Sequence, residues 1–134
     1  MRLRILLIHE SSRMRKLLRA KLYEAALDND VLEADSRQSA LRKLTNDVKF
    51  IIAPSSMPSV GMEDGVFDMI RHLRSWGKDR PILMLTTKQQ MDEDPHLILK
   101  MAESGATDFM VIPFDARAIK LKIQCLMGVF KEEG

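Results

Sequence analysis

The sequence has almost no capacity for covalent cross-linking, since its 134 residues contain a single cysteine, Cys125. One cysteine cannot form an internal disulfide, which excludes the class of small disulfide-stabilised secreted domains. Because Cys125 falls within an apolar helical pattern, we expect it to be a small buried side chain. A free buried cysteine is typical of a reducing compartment and favours the cytoplasm.

Long hydrophobic runs are also missing. The apolar segments 82–85 and 111–114 are far shorter than the roughly 20 residues of a membrane-spanning helix. Residues 1–10 contain two arginines and an apolar stretch, but the charged segment 13–21 follows without a small-residue cleavage site, which is unlike a signal peptide. We therefore expect no membrane span and no membrane partner.

An excess of one charge sign is absent as well. The 21 basic and 19 acidic residues give a net charge of +2, which is too small to indicate a nucleic-acid partner. With 46% hydrophobic and 30% charged residues, the composition is that of a globular protein. The length predicts a single domain over residues 1–134, in which 131–134 form a tail or the start of a linker.

Apolar runs of strand length alternate with amphipathic helical segments along the chain. Strands are predicted at 3–8, 31–34, 48–53, 82–86 and 108–112. Helices are predicted after the caps Ser11 or Ser12 and Ser36, and at 66–76, 95–104 and 115–131, with loops at 54–65 and 87–94. Strands that alternate with helices pair in parallel, so the sequence predicts an α/β fold with a five-stranded, doubly wound parallel sheet.

Ligands of such folds bind beyond the carboxyl ends of the strands. The residues at those ends are His9 and Glu10, residues 54–58, Thr86 with Thr87, and Ile112 with Pro113. No strand is followed by a Gly-x-Gly-x-x-Gly or Gly-x-x-x-x-Gly-Lys-Ser/Thr loop, which excludes the common dinucleotide and nucleoside-triphosphate sites.

Five segments occur in the order that one family shows. They are residues 6–15 (LLIHESSRMR), Met57–Pro58, residues 81–86, residues 105–109 (GATDF) and Pro113–Phe114. Together they resemble the CheY-like receiver domain of bacterial response regulators. The resemblance covers nearly the whole chain and implies a flavodoxin-like (βα)5 fold and a role in two-component, phosphorelay signal transduction.

The resemblance also assigns positions to a phosphorylation site. It implies that an acidic magnesium-binding pair falls on His9 and Glu10, the phosphoacceptor aspartate on Pro54, and the conserved lysine of the family on Ile112. The hydroxyl and aromatic switch positions fall on Thr86 and Phe109. Only Glu10, Thr86 and Phe109 keep the expected chemistry.

This pattern predicts a degenerate receiver, or pseudo-receiver, that has lost its phosphorylation chemistry. Proline has no side-chain oxygen that could attack a phosphoryl donor. Magnesium prefers carboxylate and other oxygen ligands, of which Glu10 alone remains. We therefore expect no enzymatic activity, no catalytic residue, no bound metal and no cofactor.

The sequence then favours a protein-interaction module whose partner is another signalling protein or an output domain. The resemblance implies a binding or homodimer surface on the fourth helix, fifth strand and fifth helix. Its candidate residues are Lys100, Glu103, Phe109, Lys120 and Lys122.

Two alternatives remain open at this point. The domain could be phosphorylated on Ser55, Ser56 or His9. Alternatively, the basic first helix, with Arg15 and Arg19, could bind nucleic acid, although no aromatic residues are interleaved with its charges.

Overall fold

The structure, a computed structural model, describes residues 2–27, 29–58 and 65–132, with the backbone alone for 129–132. Its strands are β1 (Leu3–Ile8), β2 (Asn29–Ala34), β3 (Phe50–Pro54), β4 (Ile82–Thr87) and β5 (Asp108–Ile112). Its helices are α1 (Ser12–Glu24), α2 (Arg37–Lys43), α3 (Gly65–Ser75), α4 (Lys88–Glu93), α5 (Leu97–Ser104) and α6 (Ala116–Glu132).

All four strand pairings are parallel, and the sheet order is β2-β1-β3-β4-β5. The central strands β3 and β4 are nearly continuous runs of buried apolar residues, as expected of strands covered on both faces. The prediction of a five-stranded, doubly wound parallel sheet is confirmed.

Two apolar clusters lie on opposite faces of the sheet, because successive strand residues point to opposite sides. Leu6, Ile51 and Met84 belong to the cluster that α2, α3, α4 and α5 cover. Their neighbours along the chain, such as Ile52 and Leu83, belong to the cluster that α1 and α6 cover. The helices within the described ranges are thus divided four to two between the faces.

Several predicted helix boundaries are confirmed by their caps. The hydroxyl of Ser11, and not that of Ser12, accepts the backbone N–H of Met14 at 3.2 Å. Ser36 caps α2 through a reciprocal arrangement with Ser39. Gly105 ends α5 with a φ of 111°, a left-handed conformation that favours glycine. Over the described residues, no helix is both long and apolar enough to cross a bilayer.

The prediction of a polar loop at 87–94 is wrong, because most of this segment forms α4. The apolar periodicity that identifies a longer helix is missing in these residues. Instead, Thr87 accepts the Gln90 N–H at 3.1 Å, and the Gln90 side chain accepts the Thr87 N–H at 3.3 Å, which closes a capping box. Accordingly, α5 starts at Leu97 and not at residue 95.

The prediction that Cys125 is buried is also wrong, because its side chain is exposed. The buried side of α6 carries Ile119, Ile123 and Leu126. Cys125 follows Ile123 by two positions, which turns it about 200° around the helix axis. The cytoplasmic location stays a prediction, and the burial of Cys125 no longer supports it. Residues 59–64 of the predicted loop lie outside the described residues.

Candidate functional site

The carboxyl ends of the strands bring the predicted site residues to one edge of the sheet. His9 and Glu10 follow β1, Pro54 ends β3, and Ile112 ends β5. The register pairs Pro54 with Leu85 and Thr87 with Ile112, so these strand ends are level with one another. The edge predicted from the sequence is therefore present, and Pro54 is buried within it.

Three polar side chains meet at the ends of β3 and β4. Ser55 Oγ lies 2.9 Å from Thr86 Oγ1, and the Gln90 Oε1 atom lies 2.7 Å from the first and 3.1 Å from the second. Thr86 is 0% exposed and Ser55 is 6% exposed. We call Ser55, Thr86 and Gln90 the hydroxyl–amide cluster.

Gln90 is the residue of this cluster that the sequence interpretation missed. A signal was present, since Thr87-x-x-Gln90 has the spacing of a capping box. That signal predicts the helix start, but it does not show that the same side chain reaches the end of β3.

His9 is held by hydrogen bonds at the start of α1. Its Nδ1 accepts the Ser11 N–H at 3.0 Å, while its carbonyl accepts the Arg15 Nη1–H at 2.7 Å. Burial lowers the pKa of His9, the Arg15 charge lowers it further, and Glu10 opposes both. Nδ1 thus serves as an acceptor in the neutral imidazole, which leaves the proton on Nε2.

Ile112 and Phe109 lie on opposite faces of β5. Ile112 packs against the apolar cluster beneath α1 and α6, and Phe109 packs against the cluster beneath α5. Both side chains are half-buried. The structure therefore places Ile112 in an apolar environment that extends up to the edge of the sheet.

The donors at this edge do not fit a magnesium ion. Across the described ranges, no three His, Cys, Asp or Glu side chains come together in a way that could hold a metal. Mg²⁺ requires an octahedral set of oxygen ligands, whereas the positions matched here offer one carboxylate, an imidazole and a proline ring.

The basic residues of α1 are partly neutralised by one carboxylate on β2. Arg15 Nε lies 3.0 Å from Glu33 Oε1, and Arg19 Nη1 lies 2.6 Å from Glu33 Oε2. Hydrogen bonds from Arg19 and Arg15 lower the pKa of Glu33, against an opposing effect of burial. The two arginines proposed for nucleic-acid binding therefore share an anionic partner within the fold.

The candidate interaction residues do not form one continuous surface. Lys122 Nζ lies 2.8 Å from Asp108 Oδ2 of β5, and Lys100 Nζ lies 2.9 Å from Asp94 Oδ2. Lys120 instead borders a surface depression beside Glu24 at the end of α1. Lys120 and Lys122 thus lie on opposite flanks of α6, and Lys120 faces away from β5.

Exposed apolar side chains on α5 and β5 were not singled out from the sequence. Ile98 and Leu99 of α5 are exposed, and so is Val111 of β5. Val111 lies two residues after Phe109 and therefore on the same side of the sheet, the side that α5 covers. Glu103 of α5 is exposed as well. We call Ile98, Leu99, Glu103 and Val111 the α5–β5 surface.

Comparison with known proteins gives consistent matches. A family model described as the response regulator receiver domain matches residues 5–124. The chemotaxis protein CheY homolog of Campylobacter jejuni is 30% identical over 137 aligned positions, which cover 98% of this chain and 98% of that protein. The chemotaxis protein CheY of Pseudomonas aeruginosa is 29% identical and covers 91% of this chain and 94% of its own length. The crystal structure of Vibrio cholerae CheY4 superposes with a TM-score of 0.77 at 26% identity, covering 94% of this chain and 99% of that one.

Proposed function

Because the chain belongs to the response regulator receiver family, we propose that it is a pseudo-receiver, which acts in two-component signalling by binding other proteins without being phosphorylated. The observation that carries the proposal is Pro54. It ends β3 as a buried residue at the position where the family resemblance implies the phosphoacceptor carboxylate. A proline ring has no side-chain oxygen to accept a phosphoryl group.

The neighbouring positions support the same proposal. The remaining carboxylate of the matched acidic pair, Glu10, stands beside His9, whose pKa is lowered by burial. Ile112 supplies an apolar side chain where the resemblance implies an ammonium group. An ammonium group buried there would lack the anions that normally compensate its desolvation. The changes to Pro54, His9 and Ile112 thus leave a site with few charges.

Phosphorylation at a non-standard residue has weaker support. Ser55 is buried and its hydroxyl is engaged by Thr86 and Gln90. Ser56 is exposed, but no described contact gives it a base that would activate its hydroxyl. His9 uses Nδ1 as a hydrogen-bond acceptor.

The partner surface that we propose is the α5–β5 surface. Isolated exposed apolar residues are ordinary, but here three belong to two adjoining elements that also carry the exposed charge of Glu103. A partner signalling protein, an output domain or a second copy of the chain could bury them. Lys120 belongs to a different flank and is left out of this surface.

Intact-mass measurement tests the central claim. After incubation with acetyl phosphate and Mg²⁺, we expect no stable addition of a phosphoryl group to the wild-type chain, because Pro54 provides no nucleophile. A receiver domain with a complete acidic site serves as the positive control for the donor. A stable phosphoryl adduct that disappears in the Ser55→Ala, Ser56→Ala or His9→Asn variant would overturn the proposal and identify the acceptor.

A further inference from the structure

The amide oxygen of Gln90 connects three donors from two strand ends. It lies 2.7 Å from Ser55 Oγ after β3 and 3.1 Å from Thr86 Oγ1 of β4, and it accepts the Thr87 N–H at 3.3 Å. The backbone of the same residue belongs to α4, whose first turn is capped by Thr87. One side chain therefore links α4 to the carboxyl edge of the sheet.

Thr86 depends on this contact because its side chain is completely buried. The side-chain oxygens of Ser55, Thr86 and Gln90 make three contacts with one another. Each hydroxyl can both donate and accept a hydrogen bond, whereas Gln90 Oε1 carries no proton and can only accept. Without it, the two hydroxyls would have only each other within the cluster. A buried hydroxyl that loses its acceptor is strongly disfavoured, so the acceptor fixes the rotamer of Thr86.

The far end of α4 is joined to α5 across a short connection. Asp94 caps α4 by donating its N–H to the Gln90 carbonyl at 3.1 Å. Its carboxylate accepts the His96 N–H at 3.0 Å and the Lys100 Nζ of α5 at 2.9 Å. Asp94 thus joins the end of the helix that carries Gln90 to α5.

We propose that Gln90 is a latch, a positioning residue whose amide oxygen holds the Thr86 side chain against Ser55 and covers the Ser55 hydroxyl. Both contacts come from α4, so they exist only while α4 packs against the carboxyl edge of the sheet. The latch does not rest on the proposed function.

The rotamer of Thr86 gives a direct measurement that needs no partner. Three-bond couplings of the Thr86 methyl group, measured by NMR, should report one rotamer in the wild-type protein. In Gln90→Met, which keeps the length of the side chain but removes the acceptor, we expect averaging between rotamers. Amide hydrogens of α4 should exchange about tenfold faster, as expected for the loss of one buried hydrogen bond.

Two further variants separate the latch from the stability of α4. Gln89→Ala changes the neighbouring exposed residue, whose amide contacts Glu93 at 2.9 Å, and should leave Thr86 in one rotamer. Ser55→Ala removes one hydroxyl while keeping both the capping bond between Thr87 and Gln90 and the contact between Thr86 and Gln90, and should leave Thr86 in one rotamer.

A single Thr86 rotamer in Gln90→Met would overturn the latch, and so would equal averaging in Gln89→Ala. If Gln90→Met does not fold, Ser55→Ala decides, because averaging of the Thr86 rotamer in that variant would show that Ser55, and not Gln90, fixes the side chain. Neither result changes the outcome of the phosphoryl-transfer measurement. Failure of the latch is thus distinguishable from failure of the proposed function.

Discussion

Ala26, just after the end of α1, has a φ of 57°, a left-handed conformation that costs an alanine roughly 1 kcal/mol relative to its ordinary backbone. Its N–H donates to the Tyr23 carbonyl at 3.1 Å, and its side chain is exposed. The residue that terminates a helix in this way is usually glycine. The chain therefore carries local backbone strain at the end of α1.

We expect Ala26→Gly to stabilise the protein by about 0.5 to 1 kcal/mol, because glycine adopts this conformation without steric cost. The gain corresponds to a rise in Tm of roughly 3 °C for a domain of this size, which thermal unfolding can measure.

Ala20→Gly is the matched control, since Ala20 is exposed within α1 and has ordinary helical geometry. It should destabilise by about 0.5 to 1 kcal/mol through backbone entropy. Equal losses in both variants would show that the left-handed conformation at Ala26 carries no strain.

Helices and strands are predicted correctly from the sequence where neighbouring residues alone determine where they begin and end. The limits of β1 match because the apolar run ends abruptly at His9, and those of β5 match because the Gly105 turn precedes the strand and Pro113 follows it. The α4 helix was missed because it has six residues, no buried residue and no apolar period. Its stability comes from caps and from Met91 packing on the core, which depends on the folded sheet.

The sequence predicts the part of the candidate site that depends on the order of the strands, but not the part that depends on how the helices pack. Parallel strands place their carboxyl ends at one edge, so the gathering of His9, Pro54, Thr86 and Ile112 follows from topology. The reach of Gln90 to Ser55 depends on how α4 packs, and the separation of Lys120 from Lys122 depends on the rotation of α6. Neither is encoded in the spacing of residues along the chain.

The α5–β5 surface leads to a prediction at this scale. Val111→Arg places a charge in the exposed apolar part of the surface and should reduce partner capture by about tenfold or more, as is typical for a central interface residue. The measurement is quantitative affinity purification from the native cell, with the same partner followed in each variant.

Leu17→Arg is the control, because Leu17 is 51% exposed and lies on α1, on the other face of the sheet. Both changes affect exposed side chains and should cost less than about 0.5 kcal/mol of folding stability. If Leu17→Arg loses the partner and Val111→Arg retains it, the binding surface lies on the α1 side instead.

For the whole molecule, the titrating groups define how stability depends on pH. The pKa of folded His9 is lowered from its ordinary value of 6.5, so the unfolded chain binds more protons just below that pH. The contribution of His9 to the free energy of unfolding is therefore fully present above about pH 6.5 and decreases as the pH falls. Glu33 causes a second loss of folding stability below pH 4.5, the ordinary pKa of its carboxyl group, because its arginine partners lower its pKa in the folded state.

Urea unfolding at about pH 7.5 and about pH 5.5 tests the first of these losses. We expect the wild type to be less stable at the lower pH and His9→Asn, which keeps an acceptor for the Ser11 N–H, to lose most of this dependence. His72→Gln changes an exposed histidine of α3 and serves as the comparison. An unchanged slope in His9→Asn would contradict the assignment to His9.

The apolar setting of Ile112 has a consequence for any attempt to build a phosphorylation site into this chain. Ile112→Lys would bring an ammonium group to the cluster beneath α1 and α6, where its desolvation would lack compensation by an anion while position 54 is a proline. Pro54→Asp alone would bury an unpaired carboxylate at the end of β3. Each substitution alone is therefore unfavourable, and the two would have to be introduced together.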